Sequence, residues 1–133
     1  MSASSIDVTT VRETGNTIGT VHTIRRNQEP RWFHVDMTTT ATAGNRNFKF
    51  NLHDREGNII YDIRSGANQG ASQTRHYNFV HSVSRETSFS GGSTEIVLPL
   101  AHLMLQAGMY VTLSDENSVD AADSYTLSYQ ADF

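Results

Sequence analysis

Apolar and polar residues alternate at every second position through most of this chain, the pattern of strands with one face turned inward and one outward. In RNFKFNLH, Phe48, Phe50 and Leu52 share one side while Asn47, Lys49, Asn51 and His53 share the other. DREGN then supplies turn residues, and IIYDIR resumes with Ile59, Tyr61 and Ile63 aligned, predicting a β-hairpin. HYNFVHSV aligns Tyr77, Phe79, His81 and Val83, and TEIVLPL is a short buried run that ends near Pro99. GMYVTLS aligns Met109, Val111 and Leu113, and SYTLSYQADF aligns Tyr125, Leu127, Tyr129 and Phe133. TIGTVHTI and RWFHVDMTTTATA add two further strands. LAHLMLQAG has room for a helical turn and reads as a corner between strands, with Leu103 and Leu105 plugging one end and Gly108 permitting a sharp entry to the next strand. These elements predict an all-β fold: a single jelly-roll-like β-sandwich of about eight antiparallel strands.

Residues 1–15 are polar with sparse hydrophobes and read as an extended N-terminal arm, leaving 16–133 for the sandwich domain. The connections RSGANQGASQTR and SRETSFSGGST are long, polar and glycine-bearing, so they are expected to be mobile or to form interfaces.

Composition narrows the functional classes. Cysteine is absent, which removes disulfides, zinc–thiolate sites and a cysteine nucleophile. The net charge of −4 is uneven: residues 1–100 hold all ten basic residues, whereas 101–133 hold five acids and no base. That acidic lobe disfavours nucleic acid as a ligand. No run of about eighteen apolar residues occurs, so no spanning helix and no membrane partner is expected. MSASSIDVTT lacks a basic-then-apolar leader, which points to synthesis in a cytoplasm. Arginine outnumbers lysine nine to one, a bias suited to bidentate contacts with a partner's carboxylates. Arg25, Arg26, Arg31, Arg75 and Arg85, with Trp32, are the candidate interface residues.

Three constellations invite chemistry. In LSDENSVDAADSYTL, Asp115, Glu116, Asp120 and Asp123 crowd together without a base. EF-hand spacing fails for want of the glycine and the closing glutamate, although Asp115, Asn117, Asp120 and Asp123 remain candidate ligands for an irregular calcium site. The simpler expectation is a solvated turn before the last strand. Six histidines are present without a His-x-x-x-His pair. His34 and Asp36 share a strand face, as do His76 and Asn78, but each pair needs a further ligand from elsewhere, so structural or surface roles are expected. Trp32 alternates with hydrophobic Phe33, Val35 and Met37, so one of the two faces must be core, and a buried or interface-buried Trp32 is the default. A nucleophile elbow, a P-loop and a dinucleotide fingerprint are all missing, so no catalytic residue and no cofactor is assigned.

Pro99, Leu100, Leu103, Leu105, Ala107 and Gly108, followed by Val111, Asp115, Asp120 and Asp123, form a pattern similar to one in small structural proteins of tailed bacteriophages. The similarity covers about the last third of the chain and describes a sandwich corner. It implies a non-enzymatic virion component, made in the host cytoplasm. Such a protein would act as a homo-oligomeric cement or decoration protein on the major capsid protein, or in the head–tail neck beside the portal. A glycan- or receptor-binding module, drawing on Trp32 and the acidic loop, is the reading from another class.

Overall fold

A computed structural model describes residues 6–14, 20–89 and 95–132. The strands are β1 (Ile6–Thr14), β2 (Thr20–Thr23), β3 (Glu29–Thr38), β4 (Phe48–His53), β5 (Ile59–Arg64), β6 (Thr74–Val80), β7 (Thr87–Phe89), β8 (Glu95–Pro99), β9 (Tyr110–Asp115) and β10 (Ser124–Asp132). No helix occurs among the described residues. One sheet has the order β1-β10-β3-β6-β8-β7 and the other β2-β9-β4-β5. The all-β sandwich expected from the alternation is therefore present.

The count and the pairing differ in detail from the expectation. The described residues hold ten strands where about eight were expected, and β6 runs parallel to β8 while every other strand pair among them is antiparallel. A parallel pair needs a crossover, and here the crossover carries the short strand β7, which pairs antiparallel with β8 on its far side. The segment expected as an arm contains β1, which lies along β10 from Ile6 opposite Asp132 to Thr14 opposite Ser124. Residues 1–5 and 15 of that segment, 90–94 of the second long connection, and Phe133 lie outside the described residues.

The alternation sorts side chains as expected. Phe33, Val35 and Met37 of β3, Phe48, Phe50 and Leu52 of β4, Tyr77 and Phe79 of β6, Val111 and Leu113 of β9, and Tyr125, Leu127 and Tyr129 of β10 form one buried core. Aromatic rings dominate its centre, with Phe48 stacked on Tyr77 at 4.5 Å and Phe50 tilted against Phe79 at 4.8 Å. Each such ring contributes about 2 kcal/mol through burial alone. The β4–β5 hairpin forms as read: Asp54 accepts from the Glu56 and Asn58 backbone amides and closes the turn. Ile59, expected inside with Tyr61 and Ile63, is exposed, because the bulge at Leu52/His53 disturbs the register there.

LAHLMLQAG forms no helical turn. It is a corner in which Leu105 bridges Gln28 and is fully buried, while Leu103 packs partly against the core. Gly108 takes φ +95 and donates its amide to Ile24 O, and the next amide pairing, Ile24 N to Met109 O, sets the chain into β9. A Cβ at Gly108 would sit 2.9 Å from Cγ of Arg55, whose Nε donates to Ala107 O. Gly108→Val therefore meets both a disfavoured backbone conformation and a steric clash. We expect it to lower unfolding free energy by more than about 1 kcal/mol. A thermal melt coinciding with that of the parent chain would contradict this account of the corner.

Candidate functional site

One end of the sandwich is organised by a charge. Arg46 is 0 % exposed, and its guanidinium grips Asp123, with Nε donating to Oδ2 at 3.0 Å and an Nη to Oδ1 at 3.3 Å. The remaining guanidinium donors reach Gly44 O and Thr40 Oγ1, so the buried ion is met on several sides. Asp123 Oδ1 also accepts the Thr40 amide. Backbone amides of Arg46 and Gln69 each donate to the other's carbonyl at 2.8 Å. Gln69, itself fully buried, donates to Met37 O and accepts from the Tyr77 hydroxyl. Burial pushes the Tyr77 phenol up to about 12, so it remains a donor across the physiological range.

The acidic stretch turns as expected, with Glu116, Asn117, Ser118, Ala121 and Ala122 exposed, but its carboxylates are not all solvated and join this arrangement. Asp115 and Asp123 are both buried. Asp115 accepts the amides of Asn47, Asn117 and Val119. Asp120 accepts the hydroxyls of Thr40 and Thr42 and the amide of Ala122, and those hydroxyls hold it down at about 2. Asn117, the fourth candidate calcium ligand, turns its side-chain amide to Asn45 O. Every oxygen of Asp115, Asp120 and Asp123 is engaged by an internal donor, an arrangement that fastens connections together. The connection RSGANQGASQTR is likewise pinned, by Gln69 and by Arg75, which donates to Asn68 O.

A second cluster lies on the outer face of the six-stranded sheet. The β3–β6 register sets His34 opposite Asn78 and Asp36 opposite His76, so two pairs separated in sequence become one quartet. His34 Nε2 lies 2.7 Å from Asp36 Oδ1, the same oxygen is bonded by His76 Nδ1, and His34 Nδ1 lies 2.6 Å from Asn78 Oδ1. The two imidazoles stack with centroids 5.7 Å apart. Antiparallel pairing supplies the additional ligand that each strand lacked. Ligand atoms of His34, Asp36 and His76 all lie within 4.8 Å of one another, close enough to share a metal ion. A shallow cleft of about 420 Å³ opens beside them, lined by Trp32, His34, Asn78, Val80 and Ser128.

The predicted interface residues do not gather in one place. Trp32 is half-buried on this outer face rather than in the core, with its indole N–H donating to Gln130 Oε1 at 3.0 Å. Arg25, Arg26 and Arg85 are exposed, and Arg31 is exposed and paired with Asp132 at 2.7 Å. Arg75 is a correction: it is buried, and its guanidinium serves the fold rather than the surface. Sequence reading also missed Arg46, whose partner is distant in the chain and whose neighbours suggest an ordinary surface position.

Arg46→Met should lower stability by about 3–5 kcal/mol, because it leaves Asp123 buried without a counter-charge. The Arg46→Met/Asp123→Leu pair removes both charges and should recover much of that loss in chemical denaturation. A double variant as unstable as the single one would contradict the uncompensated-charge explanation.

No protein-family model matches this chain, and comparison with curated proteins and with solved structures gives no match.

Proposed function

We propose that this chain is a non-enzymatic structural component of a bacteriophage virion, a homo-oligomeric sandwich that stabilises the capsid shell as a cement or decoration protein. The observation that carries the assembly reading is the edge of the four-stranded sheet, which no further strand covers among the described residues. On β5, its outermost strand, Ile59 and Ile60 are 55 % and 49 % exposed. At the other edge of the same sheet, Val21 on β2 is 41 % exposed. An unpaired strand edge carrying apolar side chains is a template for a second chain. Two different edges of that kind suit head-to-tail contacts, which close into rings or extend over a lattice. The strand orders β1-β10-β3-β6 and β2-β9-β4-β5 accord with a jelly roll, a rigid body suited to such packing.

The virion assignment itself rests on the resemblance of the Pro99–Gly108 corner and its acidic sequel to phage structural proteins. Symmetry separates its two forms. Copies that follow an icosahedral lattice indicate cement, and six or twelve in a ring indicate a head–tail neck component.

A glycan-binding reading draws on Trp32, whose half-buried indole borders the outer-face cleft. Glycan capture that is lost on Trp32→Ala would favour it over assembly.

The purified chain should form a discrete oligomer by light scattering, and Ile60→Lys should dissociate it while leaving the melting temperature of the subunit near that of the parent. A parent chain that remains monomeric at high concentration, including in the presence of capsid shells, would remove the assembly proposal.

A further inference from the structure

We propose that His34, Asp36 and His76 bind a divalent transition-metal ion of the zinc class on the outer face of the six-stranded sheet. The inference is independent of whether the chain assembles, and it rests on the hydrogen inventory of the quartet.

Asn78 is the starting point. Its side-chain N–H group donates to Ile96 O at 3.4 Å, which turns its carbonyl oxygen towards His34 Nδ1 at 2.6 Å. A carbonyl only accepts, so His34 Nδ1 carries the hydrogen. In the neutral ring His34 Nε2 then presents a lone pair, and that lone pair faces Asp36 Oδ1 at 2.7 Å. Two acceptors at that separation repel unless a cation lies between them. Either a second proton or a metal ion can fill that role.

Two further observations favour the metal. Asp36 Oδ1 is also the oxygen approached by His76 Nδ1, so one carboxylate oxygen stands between two imidazole nitrogens. A neutral His76 can satisfy its own contact by donating, but the pair of rings around one oxygen is also the donor set of a two-histidine, one-carboxylate site. Next, Glu95 on β8 is the register partner of His76, and its Oε2 is buried with no hydrogen-bond partner among the described residues. The face thus carries a second carboxylate beside His76, one oxygen of which has no donor among the described residues, and its negative charge adds to the attraction for a cation.

The chemistry of the donors selects the ion. Two imidazoles with one carboxylate suit zinc and its neighbours, whereas calcium and magnesium prefer oxygen throughout. Asn78 fulfils the outer role common at such sites, holding the non-ligating ring nitrogen and fixing the tautomer. Ligand separations of about 3.4 Å around a tetrahedral ion with bonds near 2.1 Å require the His34–Asp36 contact to open from 2.7 Å and the shorter His76–Asp36 contact to open further. Side-chain exposures of 30 % for His34, 35 % for Asp36 and 38 % for His76 leave the site open to an ion from solution. β3 and β6 are each paired on both sides, so the donors stand on a rigid part of the sheet.

The test uses the full chain stripped with a chelator and titrated with Zn²⁺ alone, followed by calorimetry and by ¹⁵N resonances of the imidazoles. One ion per chain is expected, with a rise in melting temperature and selective shifts at His34 and His76. Asp36→Asn and His76→Ala should each weaken binding at least tenfold, while His102→Ala leaves it unchanged. Co²⁺ should give the visible absorption of a tetrahedral site in the parent chain and not in Asp36→Asn. The resonance measurement needs no variant, so a substitution that fails to fold does not block the test. The proposal is overturned if zinc leaves the His34 and His76 resonances unmoved, if His34 proves doubly protonated and indifferent to zinc, or if Asp36→Asn folds and binds zinc as the parent does.

Discussion

A buried guanidinium is the constraint from which one whole end of this sandwich follows. Arg46 is removed from water, and a charge so placed must be met by fixed acceptors or the fold loses several kcal/mol. Asp123 answers it from the connection before β10, and Gly44 O and Thr40 from the connection after β3, while the Arg46 backbone, through its paired amide and carbonyl, ties in Gln69 from the connection after β5. Loops that would otherwise wander independently are therefore positioned by one ion. The other carboxylates of the region extend the arrangement, Asp115 by collecting backbone amides and Asp120 by collecting threonine hydroxyls. The concentrated acidity at this end thereby acts as internal cross-bracing.

Much of the sandwich was legible because period-two patterning is a local signal with a direct physical cause. Phe33, Val35 and Met37, or Tyr125, Leu127 and Tyr129, announce their face by spacing alone, and the Asp54 turn is written in adjacent residues. The features that escaped are those decided by distant partners. Asp123 reads as a turn former until Arg46, far back in the chain, is seen beside it. β1 reads as an arm because its polar sequence says little until β10 offers it an edge. The β6–β8 parallel pair and the insertion of β7 are matters of topology, which side-chain alternation does not encode.

The outer-face quartet shows the same limit in a functional setting. His34 with Asp36, and His76 with Asn78, are each two-apart pairs on single strands, and neither alone makes a site. The register that sets Asp36 opposite His76 brings them together. A shift of one residue in that register would turn either set of side chains to the opposite face, so the cluster and the core on the reverse side are specified by the same pairing. Phe33 and Val35 inside keep His34 outside, and chemistry on one side of the sheet depends on packing on the other.

The position of β10 has a consequence for how the molecule comes together. It lies between β1 and β3, strands that precede it by most of the chain, and it hydrogen-bonds to both. Until it arrives, the larger sheet has a vacant slot flanked by two hungry edges, one of them backed by Phe33, Val35 and Met37. A nascent or nicked chain lacking this last strand would offer that slot to any extended peptide nearby, so misassembly and donor-strand exchange between copies are the hazards that this topology builds in.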